Sequence, residues 1–104
     1  MIKGIGTDVV EISRITLEIG ERILTKAEKQ LCENFNTKRK IEFIAGRFAA
    51  KEAVIKAINK DALLSDIEVL YDGNRPICNY QNLKINVSIS HETSVAIAFA
   101  TYEE

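Results

Sequence analysis

KRKIEFIAGRFAAKEAVIKAIN, residues 38–59, reads as one long helix, and that reading decides the fold. The stretch holds no proline and a single glycine, Gly46. Ile41, Ile44, Ala45, Phe48, Ile55 and Ile58 return at helical spacing and lay an apolar stripe along one side. Such a stripe needs a partner surface to cover it.

The flanking segments supply that surface. Thr25-Lys26-Ala27-Glu28 has the form of a capping box, in which the threonine oxygen takes a free backbone N–H and the glutamate returns the bond. A short helix is expected from there to about Glu33. Ser13 is a cap candidate for a briefer helix over roughly Arg14 to Ile19, with Gly20 ending it. Ile2 to Ile12 opens with a β signal in Ile5, Val9, Val10 and Ile12, punctuated by Gly4 and Gly6. Beyond the long helix, Asp66 to Tyr71 reads as a strand, Asp72-Gly73-Asn74 as a turn, and Arg75-Pro76-Ile77 as the start of a returning strand. Leu83 to Ser90 alternates, with Ile85, Val87 and Ile89 on one side and Asn86, Ser88 and Ser90 on the other. Glu92-Thr93-Ser94 then breaks the chain before Val95-Ala96-Ile97-Ala98-Phe99-Ala100. That run is continuously apolar, as in a strand buried on both faces, and it is expected to pair with its predecessor as a hairpin. Strand, helices, then strands predicts an α+β fold over residues 1–104 as a single domain: an antiparallel sheet packed on one long helix.

Composition narrows the function classes. Fourteen basic residues nearly balance fifteen acidic ones, for a net charge of −1, so the basic footprint of a nucleic-acid binder is missing. No stretch has the length and apolarity of a membrane span. Met1-Ile2-Lys3-Gly4 lacks the pattern of a signal peptide, and a cytoplasmic location is expected. Cys32 and Cys78 are too few for a disulfide framework or a four-cysteine zinc site, and read as free, partly buried thiols. A domain this small builds a multi-walled site more easily between subunits, which points to a homo-oligomer.

Two carboxylates stand out of place. Glu52 lies four residues after Phe48 and three before Ile55, on or beside the apolar stripe. It either pairs with Lys56, one turn on, or serves a site. Asp8 sits between Thr7 and Val9 in an apolar strand, where aspartate is depleted. It either caps a loop or meets a second carboxylate from a distant segment. Magnesium is held by one or two carboxylates, with waters and substrate phosphates completing its shell, and this pair would suit it. His91, the only histidine, ends the alternating strand beside Ser88, Ser90 and Glu92. It is either structural or a donor to phosphate oxygens. Arg47, Lys51 and Lys56 give the long helix a basic side, which is either solvated or a phosphate cradle. No Walker-type or dinucleotide-type glycine fingerprint is present, and Gly4-x-Gly6 alone is too short to carry a meaning.

Three segments taken together are more specific. They are Gly4-Ile5-Gly6-Thr7-Asp8-Val9-Val10-Glu11-Ile12, Arg47-Phe48-Ala49-Ala50-Lys51-Glu52-Ala53 with Lys56-Ala57, and Val87-Ser88-Ile89-Ser90-His91. In this order they resemble the holo-acyl-carrier-protein synthases, the small bacterial class of 4′-phosphopantetheinyl transferases. Arg22-Ile23-Leu24-Thr25-Lys26-Ala27-Glu28 is similar to the same family. The resemblance implies an α+β domain, a homotrimer with active sites between subunits, and magnesium-dependent transfer of phosphopantetheine from coenzyme A to a serine of an acyl carrier protein. It implies that Asp8 and Glu52 ligate the metal and that Lys56 lies near the pyrophosphate. It further implies that Arg47 and His91 serve the coenzyme A phosphates and that Arg14 docks the acidic carrier; Lys51 and Lys56, on the basic side of the helix, are further candidates for those phosphates. The base is left open between a metal-bound water and a nearby carboxylate such as Glu28. A relative that binds coenzyme A or a carrier without transfer is the alternative. Asn59-Lys60-Asp61 stands where the family carries a glycine-rich turn, Ile15 to Arg22 is poor in cations, and the chain is somewhat short for the family.

Overall fold

The computed structural model describes residues 1–104. Strand β1 (Ile2–Glu11) and a 3₁₀ turn (Ile12–Arg14) lead into helices α1 (Leu17–Ile23), α2 (Lys26–Cys32) and α3 (Thr37–Ile58). A second 3₁₀ turn (Leu64–Asp66) precedes strands β2 (Glu68–Asp72), β3 (Arg75–Asn79), β4 (Lys84–His91) and β5 (Val95–Glu103).

The helix ends follow their capping chemistry. Asn36 Oδ1 accepts from the backbone N–H of Arg39 at 2.9 Å and opens α3. Asn59 closes it in the left-handed conformation, φ 55° and ψ 43°, which asparagine tolerates better than other residues with a Cβ. The capping box of α2 forms as expected, with Thr25 and Glu28 exchanging bonds of 2.8 and 3.2 Å. The expectation for α1 is corrected. Thr16, not Ser13, accepts the capping N–H, from Ile19, and the segment over Ile12–Arg14 is a 3₁₀ turn. Gly20 does not end α1 but lies within it, packed on Ile44.

The strands form two sheets rather than one. β1, β5 and β4 make an antiparallel three-stranded sheet in that order, and β2–β3 is a separate hairpin turning at Gly73. The three-stranded sheet lies close on α3 because both surfaces carry small residues. Ala98 and Ala100 share one core cluster with Ala49, Ala50, Ala53 and Ala57, and Ala96 shares the other with Ala45. Gly4 and Gly6 carry β1 directly onto the helix backbone: a Cβ on Gly4 would overlap the carbonyl oxygen of Ala57, and one on Gly6 that of Ala53. The Gly4-x-Gly6 pair, unreadable alone, is therefore a packing device.

Burial on α3 departs from the expected stripe. Ile41, Phe48 and Ile55 are half-buried, whereas Ala49, Ala50, Lys51, Ala53 and Val54 are wholly buried. The helix is enclosed on most sides by the sheet, the hairpin and the shorter helices. β5 is also not covered on both faces. Its alanines point inward, while Ile97 and Phe99 lie exposed beside Ile5 and Val9 on the outer face of the sheet. No helix is long and apolar enough to cross a membrane.

Cys32 and Cys78 are buried free thiols. Burial pushes both up, Cys78 to about 12. At pH 8 a thiol with a pKa near 12 is thiolate in about one molecule in ten thousand. An alkylating reagent is therefore expected to label neither cysteine in the native protein and both after denaturation. Mass spectrometry of the two samples checks this.

Candidate active site

The packing of β1 on α3 places the first acidic residue. Gly4 lies over Ala57 and Gly6 over Ala53, so two strand residues match four helix residues. Side chains on one strand face recur every second residue. Asp8 therefore continues the row toward the preceding turn of α3. There it meets Lys56, whose side chain runs back toward the helix N-terminus, as helical side chains do. Lys56 Nζ donates to the Thr7 carbonyl oxygen at 2.9 Å and lies 3.3 Å from Asp8 Oδ1. The Asp8 side chain is largely buried and that of Lys56 is about half exposed. Glu52 is half-buried one turn before Lys56, and Lys56 pairs with Asp8 instead of with it. Asp8 and Lys56 thus meet at the crossing of β1 and α3, with Glu52 one helical turn before Lys56.

The donor set suits a hard, octahedral cation. The structure gathers no set of three or more His, Cys, Asp or Glu side chains into a protein-only cage. Two carboxylates with room for waters and phosphate oxygens is the arrangement magnesium takes. That an ammonium already sits beside Asp8 shows the position favours positive charge.

A cavity of about 1070 Å³ opens at the other end of α3. Arg39, Arg47, Tyr71, Ser88 and His91 are among the residues that line it. Arg47 is buried, yet well held. Its Nε donates to the Val69 carbonyl oxygen at 3.1 Å and its Nη1 to the Tyr71 hydroxyl at 3.2 Å. Its guanidinium carbon lies 4.2 Å from the centre of the Phe43 ring and 4.7 Å from that of Tyr71. Its Nη2 alone has no partner. A buried guanidinium with one donor to spare, on a cavity that also holds His91 and Arg39, is suited to phosphate oxygens.

The basic side expected on α3 does not exist as such. Lys51 is wholly buried: its Nζ lies 2.6 Å from Glu28 Oε1 and donates to the Ile23 carbonyl oxygen at 2.5 Å. Burial pushes its ammonium down, and the hydrogen bond to Glu28 pulls it back up. Lys51 is thus an internal partner of Glu28, with no access to a phosphate. Glu28, sealed in the same pair and accepting the Val69 N–H at 2.7 Å, has no access to a substrate hydroxyl and is not a base. Arg14 is exposed at the end of the first 3₁₀ turn, 3.9 Å from Glu11.

The two clusters face apart. Arg47 and Lys56 are nine residues apart on α3, which at 3.6 residues per turn sets them about 180° apart around the axis. Asp8, Glu52 and Lys56 do not line the large cavity. Sequence reasoning missed Tyr71 and Arg39 at that cavity. Tyr71 carried no signal, because its role comes from the return of the β2–β3 hairpin across α3. Arg39 looked like one of several surface cations at the start of the helix.

The sequence model of the 4′-phosphopantetheinyl transferase superfamily matches residues 4–100. A holo-[acyl-carrier-protein] synthase of Geobacillus sp. (strain WCH70) is 45% identical over 111 aligned residues, covering 94% of this chain and 93% of that one. The Staphylococcus aureus (strain JH9) enzyme of that name is 40% identical, covering 100% of this chain and 98% of its own. The chain thus spans these relatives nearly from end to end, yet its 104 residues are stretched over 116 aligned positions, so it is somewhat shorter than they are, as expected. A crystal structure of a holo-(acyl-carrier-protein) synthase from Bacillus anthracis in complex with CoA (3′,5′-ADP) superposes with a TM-score of 0.90 at 38% identity, over 99% of this chain and 97% of that one.

Proposed function

The chain belongs to the 4′-phosphopantetheinyl transferase superfamily, and from that premise we propose that it is a holo-acyl-carrier-protein synthase. It transfers 4′-phosphopantetheine from coenzyme A to a serine hydroxyl of an apo acyl carrier protein. The observation within the structure that carries this reading is the meeting of Asp8 with Lys56, 48 residues apart, beside Glu52.

Asp8 and Glu52 would hold magnesium. When bound, the metal supplies positive charge to the coenzyme A pyrophosphate. Lys56 adds an ammonium at the same place, where charge builds on the phosphoryl group under attack. Arg47 and His91 hold the coenzyme A phosphates in the large cavity, with Arg47 Nη2 as the free donor. The carrier serine oxygen bonds to the phosphorus of the pantetheine phosphate as its O–H bond breaks and the proton passes to solvent water. The bond from that phosphorus to the bridging oxygen breaks, and adenosine 3′,5′-bisphosphate leaves. Arg14, exposed near the start of α1, is placed to meet an acidic carrier.

The opposed clusters support a site shared between copies. One coenzyme A molecule would reach from the phosphate cavity of one subunit to the carboxylate pair of the next. The exposed apolar face of Ile5, Val9, Ile97 and Phe99 supports the same arrangement. We read the assembly as a homotrimer, each chain one domain, working in the cytoplasm.

Intact mass spectrometry of an apo acyl carrier protein tests the reaction, with this protein, coenzyme A and magnesium, and a chelated control. A magnesium-dependent gain of one phosphopantetheine arm is the expected result. No gain across several carriers, with coenzyme A still bound, would overturn the transferase reading in favour of a non-catalytic binder. Light scattering in solution checks the three-subunit mass.

A further inference from the structure

A fully buried ion pair demands a reason. Glu28 and Lys51 have no exposed side-chain surface. Desolvating two charges consumes much of what their attraction returns, and apolar residues of the same size often serve stability equally well. The pair is therefore weak as a device for stability alone. Its connections show what else it does.

Glu28 is bonded at both oxygens. Oε1 accepts from Lys51 Nζ and from the Thr25 backbone N–H, and Oε2 accepts from the Val69 backbone N–H at 2.7 Å. Val69, the second residue of β2, is itself wholly buried. Its carbonyl oxygen, on the same edge of the strand, receives Arg47 Nε at 3.1 Å. One peptide segment therefore hangs between the carboxylate of Glu28 and the guanidinium of Arg47. Lys51 sets the rotamer of Glu28, Glu28 sets Val69, and Val69 sets Arg47. Tyr71, two residues along β2, takes a second guanidinium nitrogen, so a shift of the strand would move both partners of Arg47 together.

We propose that Glu28 and Lys51 are positioning residues for coenzyme A binding, acting through Val69 to aim Arg47 into the phosphate cavity. The proposal rests on reading that cavity as the coenzyme A site. It also accounts for a lysine inside the Arg47–Ala53 motif that touches no phosphate: one turn beyond Arg47, Lys51 anchors the far end of the relay.

Two double variants separate positioning from mere support. Glu28→Leu/Lys51→Met removes the charges and the acceptor for the Val69 N–H. Glu28→Gln/Lys51→Met removes the charges but keeps an acceptor oxygen. Both are expected to fold, since neither leaves a buried charge alone. Coenzyme A binding is measured by calorimetry with magnesium present, and turnover with a carrier protein. The Leu/Met variant is expected to bind coenzyme A about tenfold more weakly, with kcat changed less than about threefold, while the Gln/Met variant stays within about threefold of wild type in both. Adding Arg47→Gln to the Leu/Met variant is expected to cost no more than Arg47→Gln alone, because both act through one guanidinium.

Wild-type affinity in the folded Leu/Met variant would overturn the proposal, as would losses that simply add to those of Arg47→Gln. Should the Leu/Met protein not fold, Glu28→Asp gives the same cycle. It keeps the charge, shortens the reach to Val69, and is expected to weaken binding severalfold only where Arg47 is present; unchanged affinity overturns the proposal. The wild-type and Arg47→Gln arms keep the two readings apart. Absent binding by wild type, or full affinity in Arg47→Gln, overturns the assignment of the cavity and this proposal with it. A normal Arg47 effect without coupling to Glu28 overturns the proposal alone.

Discussion

Asp8→Asn is expected to lower turnover about a thousandfold or more while leaving the fold in place, the scale that losing one dominant charge-stabilising group has in such sites. Asparagine keeps the shape and one acceptor oxygen of aspartate but loses the negative charge. That charge is what a hard dication requires, and only Glu52 would remain to supply it. The folding cost is small for a separate reason. Asp8 has one charged partner, Lys56, which is about half exposed, and pairs open to solvent contribute up to about 1 kcal/mol. Lys56 also keeps its bond to the Thr7 carbonyl oxygen, which the substitution does not touch. The melting temperature is therefore expected to fall by only a few degrees. Coenzyme A should still bind, since Arg47 and His91 lie at the other cluster. Carrier modification followed by mass spectrometry, with a thermal melt beside it, checks the split. Wild-type turnover in Asp8→Asn would sink the metal assignment, whereas an unfolded variant would show that Asp8 holds the strand on the helix.

The candidate site was legible only in part from local signals, since each of its residues alone also allowed a structural reading and the resemblance of three segments joined them. Asp8 in a strand and Glu52 beside an apolar stripe each contradict what their neighbours favour, and such contradictions collect at functional sites. The capping box at Thr25 was legible for the same reason, since both its partners lie within four residues. What failed to read depends on long-range packing. Lys51 looked like a surface cation because the apolar stripe ran along one side of the helix and left Lys51 off it. α3 is enclosed more widely than that, and Lys51 meets Glu28 from 23 residues away. The outer face of β5 looked buried because the run from Val95 to Ala100 is apolar throughout. Burial alternates along it, so Ile97 and Phe99 face outward while the alanines face the helix. Gly20 looked like a helix end because glycine so often is one; here it makes room for Ile44.

Gly6→Ala is expected to be among the most damaging single methyls in the chain. The added Cβ would overlap the Ala53 carbonyl oxygen and come within 2.9 Å of the Ala57 nitrogen. Both obstacles are backbone atoms of α3, held by the helix's own hydrogen bonds, so neither can turn aside. β1 cannot lift away cheaply either, because Gly6 is paired with Ala100 in mid-ladder. Overpacking where nothing yields costs about 3 kcal/mol or more, against a total stability of about 5–15 kcal/mol. For a chain of this size that lowers the melting temperature by roughly 12–24 °C. Gly46→Ala is the control. Its Cβ would lie 3.2 Å from Ile89 Cγ2, the end of a flexible side chain, and alanine favours the helix, so a shift of only a few degrees is expected. The same comparison bears on function. Asp8 follows Gly6 by two residues on the same strand face, so a strand pushed off α3 carries the carboxylate away from Glu52 and Lys56. Gly6→Ala protein kept cold enough to stay folded should therefore still transfer poorly, while Gly46→Ala should not. Equal melting temperatures for the two variants would mean that β1 does not rest on the backbone of α3. The row of glycines would then not be what sets Asp8 in place.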